Sequence, residues 1–118
     1  MGAPVVHFEI TSEGGEKLNE FYRSVFDWNI DASNPMKYGV VLTEAGKGID
    51  GGISAPDGGG SSYVTFYVEV PSIDATLAEI EKLGGKTLMP RTVIPEMVTF
   101  AQFADPSGNM VGLVEPMP

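Results

Sequence analysis

The chain has no cysteine among its 118 residues. This excludes disulfides, thiolate nucleophiles and thiolate metal sites. Basic residues are also few, because seven Lys and Arg stand against sixteen Asp and Glu, for a net charge of −9. Nucleic-acid binding requires a basic footprint, which this composition does not offer. A negative field of this size favours solubility and can attract cationic ligands.

Long apolar runs are absent as well. No stretch approaches the roughly 20 apolar residues of a membrane span, and the first six residues show no basic segment followed by an apolar one. We therefore predict a cytoplasmic protein that does not enter a membrane. Hydrophobic residues still make up 42% of the chain, which is enough for a packed core at this length. We predict a single domain over residues 1–118.

What the sequence does contain is an internal repeat. The run from Val5 to Ile10 reads like the run from Tyr63 to Val68, with apolar side chains at alternating positions in both. Such alternation predicts a strand with two different faces. Each strand is followed by an apolar helical stripe. The stripes are Leu18, Phe21, Tyr22 and Val25 in the first copy, and Ile73, Leu77, Ile80 and Leu83 in the second.

The ends of these elements carry local signals. Ser12 and Ser72 are predicted N-caps, and Gly84 is predicted to end the second helix in a left-handed conformation. Three strands follow each helix, at about 28–31, 36–43 and 49–54, and again at about 87–89, 98–104 and 110–114. The segment 90–97 is predicted to be an irregular or mobile connection, because it contains two prolines.

Both copies therefore have the same order: strand, helix and three strands. We assign module one to residues 1–56, a Gly- and Ser-rich joint to 57–62, and module two to 63–118. The predicted fold class is α+β, with two tandem β-α-β-β-β modules forming a cupped eight-stranded sheet and the helices on its outer face.

Three motifs, taken in this order, resemble the vicinal-oxygen-chelate superfamily of glyoxalases, bleomycin resistance proteins and dioxygenases. They are His7-Phe8-Glu9-Ile10 on the first strand, the aromatic run from Phe21 to Trp28, and Asp105-Pro106-Ser107-Gly108-Asn109 before the last strand. The resemblance covers essentially the whole chain. It implies a pocket on the concave side of the sheet, often shared between the two chains of a homodimer.

In enzymes of the superfamily, the resemblance implies a divalent metal held by the first and last strands of the modules. His7 matches one ligand position, and Glu9 could add a carboxylate beside it. The matching position in module two is Thr65, a poor metal ligand, and the last-strand positions fall near Gly52 and Gly112. A metal site generally needs three or more protein ligands. We therefore expect no metal and no other cofactor.

Polar and aromatic residues on the cleft-facing strands form the candidate ligand-binding set. They are His7, Glu9, Trp28, Tyr38, Thr65, Tyr67, Phe100, Gln102, Met110 and Gly112. One strand is open in register, because either Phe100 and Gln102 or Ala101 and Phe103 face the cleft.

Two of these candidates have a second interpretation. Trp28 could line the pocket lip or pack at the corner between helix and strand. The glycines Gly52 and Gly112 could leave room for a bulky ligand or allow close backbone packing.

Two function classes follow. The first is a binding protein of the bleomycin-resistance type, which sequesters an aromatic or cationic drug-like or natural-product ligand in a metal-free cleft and so gives antibiotic resistance. The second is an enzyme of the lyase, isomerase or dioxygenase type with a reduced, metal-independent site. His7 would then be the general base, with Glu9 behind it. The missing ligand positions favour binding, so we assign no catalytic residue outside the enzyme hypothesis. In both cases we expect a homodimer.

Overall fold

A computed structural model describes residues 2–54 and 62–117 of the chain. The chain divides into two compact units. The first unit runs from Val6 to Val64, and the second contains Thr65 onward together with the residues that precede Val6. Apart from Ser62, the predicted joint at 57–62 lies outside the described residues.

The first unit is a small sheet with one helix. Its elements are β1 (Val5–Thr11), α1 (Glu16–Phe26), β2 (Asn29–Asp31), β3 (Gly39–Leu42) and β4 (Gly51–Ser54). The strands lie in the order β2-β3-β4-β1, with β1 parallel to β4 and the other pairs antiparallel.

The second unit repeats this arrangement. Its elements are β5 (Tyr63–Glu69), α2 (Ile73–Lys82), β6 (Lys86–Ile94), β7 (Val98–Ala104) and β8 (Met110–Val114), although the first two residues of β5 belong to the first unit. The strand order is β5-β8-β7-β6, with β5 parallel to β8. The predicted α+β class and the two β-α-β-β-β repeats are thus confirmed. Within the described ranges, no helix is long and apolar enough to cross a membrane.

Each unit has its own apolar core. In the first, Ile30, Val41 and Ile53 are buried, and Phe8 and Ile10 of β1 pack against them. In the second, α2 packs on the sheet. That core consists of Val70, Ile73, Leu77, Ala101 and Leu113. Side chains alternate along a strand. Because Phe8 and Ile10 face the core, His7 and Glu9 point to the opposite face of β1.

The N-cap prediction is right for one helix and wrong for the other. Ser72 caps α2, because its Oγ accepts from the backbone N–H of Ala75 at 3.2 Å. Ser12 does not cap α1. That helix begins later, after Gly15, which has a φ of 55° and no side chain that could act as a cap.

The predicted core stripe of α1 is too wide. Leu18 and Tyr22 pack against the core, whereas Phe21 and Val25 are 57% and 54% exposed. The orientation is fixed by Tyr22, whose ring stacks on Trp28 with centroids 5.5 Å apart. In α2 the stripe also loses Leu83, which follows the last helical residue and is exposed.

The segment after α2 is more regular than predicted. β6 continues to Ile94, so the irregular connection expected over 90–97 shrinks to a short turn before β7. Two register shifts against β7, one on each side of Met89, accommodate Pro90 within the strand. A proline lacks the N–H of a regular ladder, and bulges absorb that defect.

Candidate functional site

Four polar side chains of the first unit form one hydrogen-bonded group, here called the His7 cluster: His7, Glu9, Tyr38 and Tyr63. His7 Nε2 lies 2.9 Å from the Tyr38 hydroxyl, which in turn donates to Glu9 Oε2 at 3.0 Å. The Tyr63 hydroxyl donates to the other carboxylate oxygen of Glu9 at 3.4 Å. All four side chains are half-buried. The structure thus brings together three predicted site residues, His7, Glu9 and Tyr38.

One tautomer of His7 is compatible with both bonds. If the Tyr38 hydroxyl gives its single hydrogen to Glu9, its oxygen accepts from His7 Nε2–H. Neutral His7 then carries its lone pair on Nδ1. The ring planes of His7 and Tyr38 lie within 18° of each other, with centroids 6.3 Å apart.

Burial lowers the pKa of His7 below its usual 6.5, because the charged imidazolium would lose hydration. The carboxylates of Glu9 and Asp50 act in the opposite direction but offset only part of this effect. His7 is therefore neutral at pH 7, which allows it to accept a proton or a hydrogen bond there.

Gly52 lies directly under the ring of Tyr38. It is the register partner of Glu9 across β1 and β4, and a Cβ placed on it would lie 1.9 Å from the Tyr38 hydroxyl oxygen. The space beside this glycine is therefore filled by a tyrosine of the same chain. Neither the bulky external ligand nor the backbone packing considered from the sequence explains this glycine.

The second unit contains a related group, here called the Tyr67 cluster: Tyr67, Phe100, Gln102 and Gly112. Gln102 Nε2 donates to the Tyr67 hydroxyl at 3.1 Å, and the Phe100 ring meets the Tyr67 ring edge-on. Ala101, between them, is fully buried in the core beside α2. The structure thus selects the register in which Phe100 and Gln102 share a face.

The same pairing of glycine and tyrosine occurs in the second unit. Gly112 is the register partner of Tyr67, and a Cβ on it would lie 2.3 Å from the Tyr67 ring. Met110 has the strand parity of Gly112 and is half-buried. Its backbone carbonyl accepts from the hydroxyl of Thr65, which is itself buried. The Thr65 hydroxyl therefore serves the backbone of β8.

Trp28 lies apart from these groups. Its ring contacts Phe8, Tyr22 and Phe26, with centroids 5.1 to 5.5 Å away, and it packs against the core of the first unit. Because Phe8 and His7 are neighbours on β1, they point to opposite faces. Of the two positions open for Trp28, the structure has the corner between helix and strand.

The residues present do not fit the divalent metal that the family resemblance implies. Among the described residues, no group of three or more His, Asp or Glu side chains is placed to hold a metal ion. His7 Nε2 is bonded to Tyr38, and tyrosine rings cover both glycines that stand at the last-strand ligand positions.

A polar depression of about 930 Å³ also lies in the first unit, along α1 and the loop after β2. Its lining includes Asn34 and Lys37 but none of the His7 cluster. The Arg23 guanidinium there is bonded to Glu16 and to the carbonyl of Ile30. This cation is already paired within the fold, and the depression is not the predicted site.

Comparison with known proteins gives the family. Residues 5–113 match the model of the Glyoxalase/Bleomycin resistance protein/Dioxygenase superfamily. The chain belongs to this superfamily. No curated protein matches it in sequence.

Solved structures of the superfamily's fold are similar over almost the whole chain. Methylmalonyl-CoA epimerase from Mycobacterium tuberculosis has a TM-score of 0.69 at 14% identity, covering 97% of this chain and 88% of that one. A hypothetical protein from Bacillus halodurans C-125 has a TM-score of 0.72 at 13% identity, covering 100% and 97%. A superfamily member from Vibrio splendidus 12B01 has 0.65 at 16%, covering 98% and 100%. At such identities the likeness concerns the fold alone.

Sequence reasoning missed how the site is supported. Tyr63 has the same strand parity as Thr65 and Tyr67, which the sequence indicates, but it was not included in the candidate ligand-binding set. Asn34, which is bonded to the backbone of Tyr38, and Asp50, whose charge raises the pKa of His7, were also missed. For Asn34 the local signal was the dipeptide Asn34-Pro35, which is typical of a turn. Nothing in that dipeptide indicates which residue the turn serves.

Proposed function

We propose that this superfamily member is a metal-free binding protein that sequesters a small organic molecule, in the manner of bleomycin resistance proteins. The observation that supports it best is the tyrosine over each glycine. Where metal-dependent members would place carboxylates, this chain has aromatic rings and phenol hydroxyls. Such groups suit the flat faces and polar edges of an organic ligand.

The His7 cluster favours a ligand that is both aromatic and cationic. Glu9 presents a carboxylate oriented by two phenol hydroxyls, and His7 is kept neutral, so the cluster carries negative charge. The rings of His7 and Tyr38 offer adjacent faces for stacking or for a cation–π contact. The net charge of −9 favours the approach of the same kind of ligand.

Calorimetry with three probes tests this proposal: proflavine, a planar aromatic cation; acridine at pH 8, an uncharged ring system of similar shape; and metal-free bleomycin. We expect proflavine or bleomycin to bind with a Kd of about micromolar, and acridine to bind more weakly. Thermal shift serves as the second readout. Trp28 emission monitors folding, since its ring packs away from the cluster. If none of the three binds, sequestration of an aromatic cation is wrong.

Matched variants locate the binding. Glu9→Gln keeps the shape of the side chain but removes its charge, and we expect about tenfold weaker proflavine binding, because hydrogen bonds to charged groups are the stronger ones. Glu20→Gln removes the same charge from an exposed position on α1 and controls for net charge. Equal losses in both variants would place the ligand elsewhere.

The homodimer is part of the same proposal. Val64 and Phe66 of β5 are exposed, Val64 at 73%, although both are apolar strand residues. Apolar strand surface of this kind is typical of a buried interface. Sedimentation equilibrium at micromolar concentration tests it. A mass equal to that of one chain would contradict it.

A metal-independent enzyme is the second candidate. The neutral His7 favours it, since Nδ1 could take a proton from an acidic C–H while Tyr38 accepts from Nε2–H. Methylmalonyl-CoA, named with the similar epimerases, is a suitable first substrate. Deuterium uptake at its acidic carbon in D₂O, lost in His7→Gln, would support an enzyme. No uptake above the protein-free rate would exclude this substrate.

A further inference from the structure

Tyr38 is held by the side chain of Asn34. Asn34 Nδ2 donates to the backbone carbonyl of Tyr38 at 2.7 Å, and Asn34 Oδ1 accepts from the backbone N–H of Tyr38 at 2.9 Å. One amide side chain thereby satisfies both main-chain groups of one residue. The pairing resembles that of two residues facing each other across a strand ladder.

Tyr38 needs such a partner because it lies just outside the sheet. β3 begins at the next residue, Gly39, whose register partner on β4 is Ile53. The residue before Tyr38, Lys37, has a φ of 52°, in the left-handed region that non-glycine residues rarely adopt. A conformation of this kind persists only where surrounding bonds hold it. In this loop, Lys37 N donates to Asn34 O and the Asn34 side chain clamps Tyr38.

The position of the Tyr38 ring matters more than that of an ordinary loop side chain. Its hydroxyl joins His7 to Glu9, and its ring fills the space above Gly52. A small rotation of the Tyr38 backbone would move the hydroxyl away from both partners. The hydrogen bond between His7 Nε2 and the Tyr38 hydroxyl would then be lost, and water would reach the imidazole more easily.

We infer that Asn34 is a positioning residue for the His7 cluster: through Tyr38 it sets the geometry of His7 and Glu9, without contacting a ligand itself. The part of this inference that concerns ligand affinity rests on the proposed binding function. The part that concerns His7 does not, because it can be measured in the protein alone.

The single histidine of the chain makes a specific readout available. Imidazole ¹⁵N and ¹H NMR of the whole protein gives the tautomer and the pKa of His7 directly. In Asn34→Ala we expect the Nε2–H signal to exchange faster and the pKa of His7 to rise toward its ordinary value, because hydration of the imidazolium is partly restored. We also expect proflavine binding to weaken about three- to tenfold, as for the loss of a neutral hydrogen bond.

Two further variants make the test decisive. Asn34→Ser replaces the amide oxygen with a hydroxyl that can accept from the Tyr38 N–H, so we expect a smaller rise in the His7 pKa. It replaces Asn34→Ala if that variant does not fold. Ser33→Ala alters the same loop, where the Ser33 hydroxyl donates to Asp31, without touching Tyr38. We expect it to leave the pKa and tautomer of His7 as in the wild type.

The outcomes separate the two proposals. A His7 pKa that rises in the Asn34 variants but not in Ser33→Ala supports positioning, even if no probe binds the wild type and the binding function fails. An unchanged His7 pKa and tautomer in both Asn34 variants overturns positioning, even if proflavine binds well. A rise of the same size in Ser33→Ala also overturns it, because the loop as a whole would then be responsible.

Discussion

At the scale of single residues, the two glycines beneath tyrosine rings have the clearest consequences. Gly52→Ala places a methyl group 1.9 Å from the Tyr38 hydroxyl oxygen, so the ring must move. Overpacking of this kind costs about 1–3 kcal/mol. We therefore expect urea unfolding to show a lower free energy of unfolding for this variant. Gly14→Ala is the control, because its new methyl would stand at an ordinary 3.4 Å from Leu18. Equal stability of the two variants would contradict the packing described.

His7 makes the stability of the protein depend on pH. Burial lowers the folded-state pKa of His7 below 6.5, so the unfolded chain binds this proton more readily. The stability that neutral His7 contributes to the folded state is fully present above pH 6.5, and it is lost as the pH falls through the folded-state pKa of His7. We expect the melting temperature of the wild type to fall more between pH 6.5 and 5 than that of His7→Gln. Parallel pH profiles would show that His7 has no shifted pKa.

The carboxylates whose pKa is lowered do not interfere with this measurement, because they titrate at lower pH. The usual pKa of these groups is 4.5 for Glu and 3.8 for Asp, and side-chain hydrogen bonds are the main cause that lowers it further. Among the described residues, the five carboxylates are Glu16, Asp31, Glu81, Asp105 and Glu115. Their contributions are lost only in more acidic solution. The pH range in which His7 changes the stability therefore lies above the range in which these carboxylates change it.

At the scale of elements, the start of α2 depends on a residue far along the chain. Glu115 Oε2 accepts from the backbone N–H of Ile73 at 2.8 Å, and Arg91 of β6 donates to both oxygens of the same carboxylate. An acidic group at a helix N-terminus accepts a hydrogen bond from a free backbone amide and interacts favourably with the helix dipole. Glu115 thus links the start of α2 to β6, the end strand of its unit.

Glu115→Gln should loosen this end of α2. The amide keeps an oxygen for Ile73 but loses the charge that attracts Arg91, so we expect faster hydrogen exchange in the first turn of α2 and a lower melting temperature. Glu79→Gln, on an exposed position of the same helix, provides the comparison. Exchange that is unchanged at Ile73 would mean that Ser72 alone holds the helix start.

Elements were largely predictable because each has a local cause. The alternation in β1 and β5, the Ser72 cap and the exact limits of β7 and β8 all follow from neighbouring residues. The tyrosine–glycine pairs do not, since Tyr38 and Gly52 meet only after β3 and β4 have paired. The same is true of β6, where tertiary pairing with β7 overrides the signal of Pro90. The sequence therefore indicated that His7 and Glu9 of β1 share a face, but not that Tyr38 contacts both of them.

At the scale of the whole molecule, the net charge of −9 should influence binding as well as solubility. If a cationic ligand approaches this negative field, its affinity falls with ionic strength, because salt screens exposed charges over about 10 Å at 0.1 M. We expect the Kd of proflavine to rise several-fold between 20 and 300 mM NaCl, while that of acridine changes little. Equal salt dependence for the two probes would contradict a role for the negative charge of the protein in ligand binding.

The long strand β6 has a further consequence for the chain in crowded solution. It is the end strand of its unit, nine residues long, with exposed Leu88 and Val93. An exposed apolar edge of that length is a template on which another chain could extend the ladder. Pro90 has no N–H to donate, and the two register shifts near it interrupt the regular spacing of hydrogen-bonding groups along β6. We therefore expect the irregularity of β6 to disfavour edge-to-edge pairing with another chain.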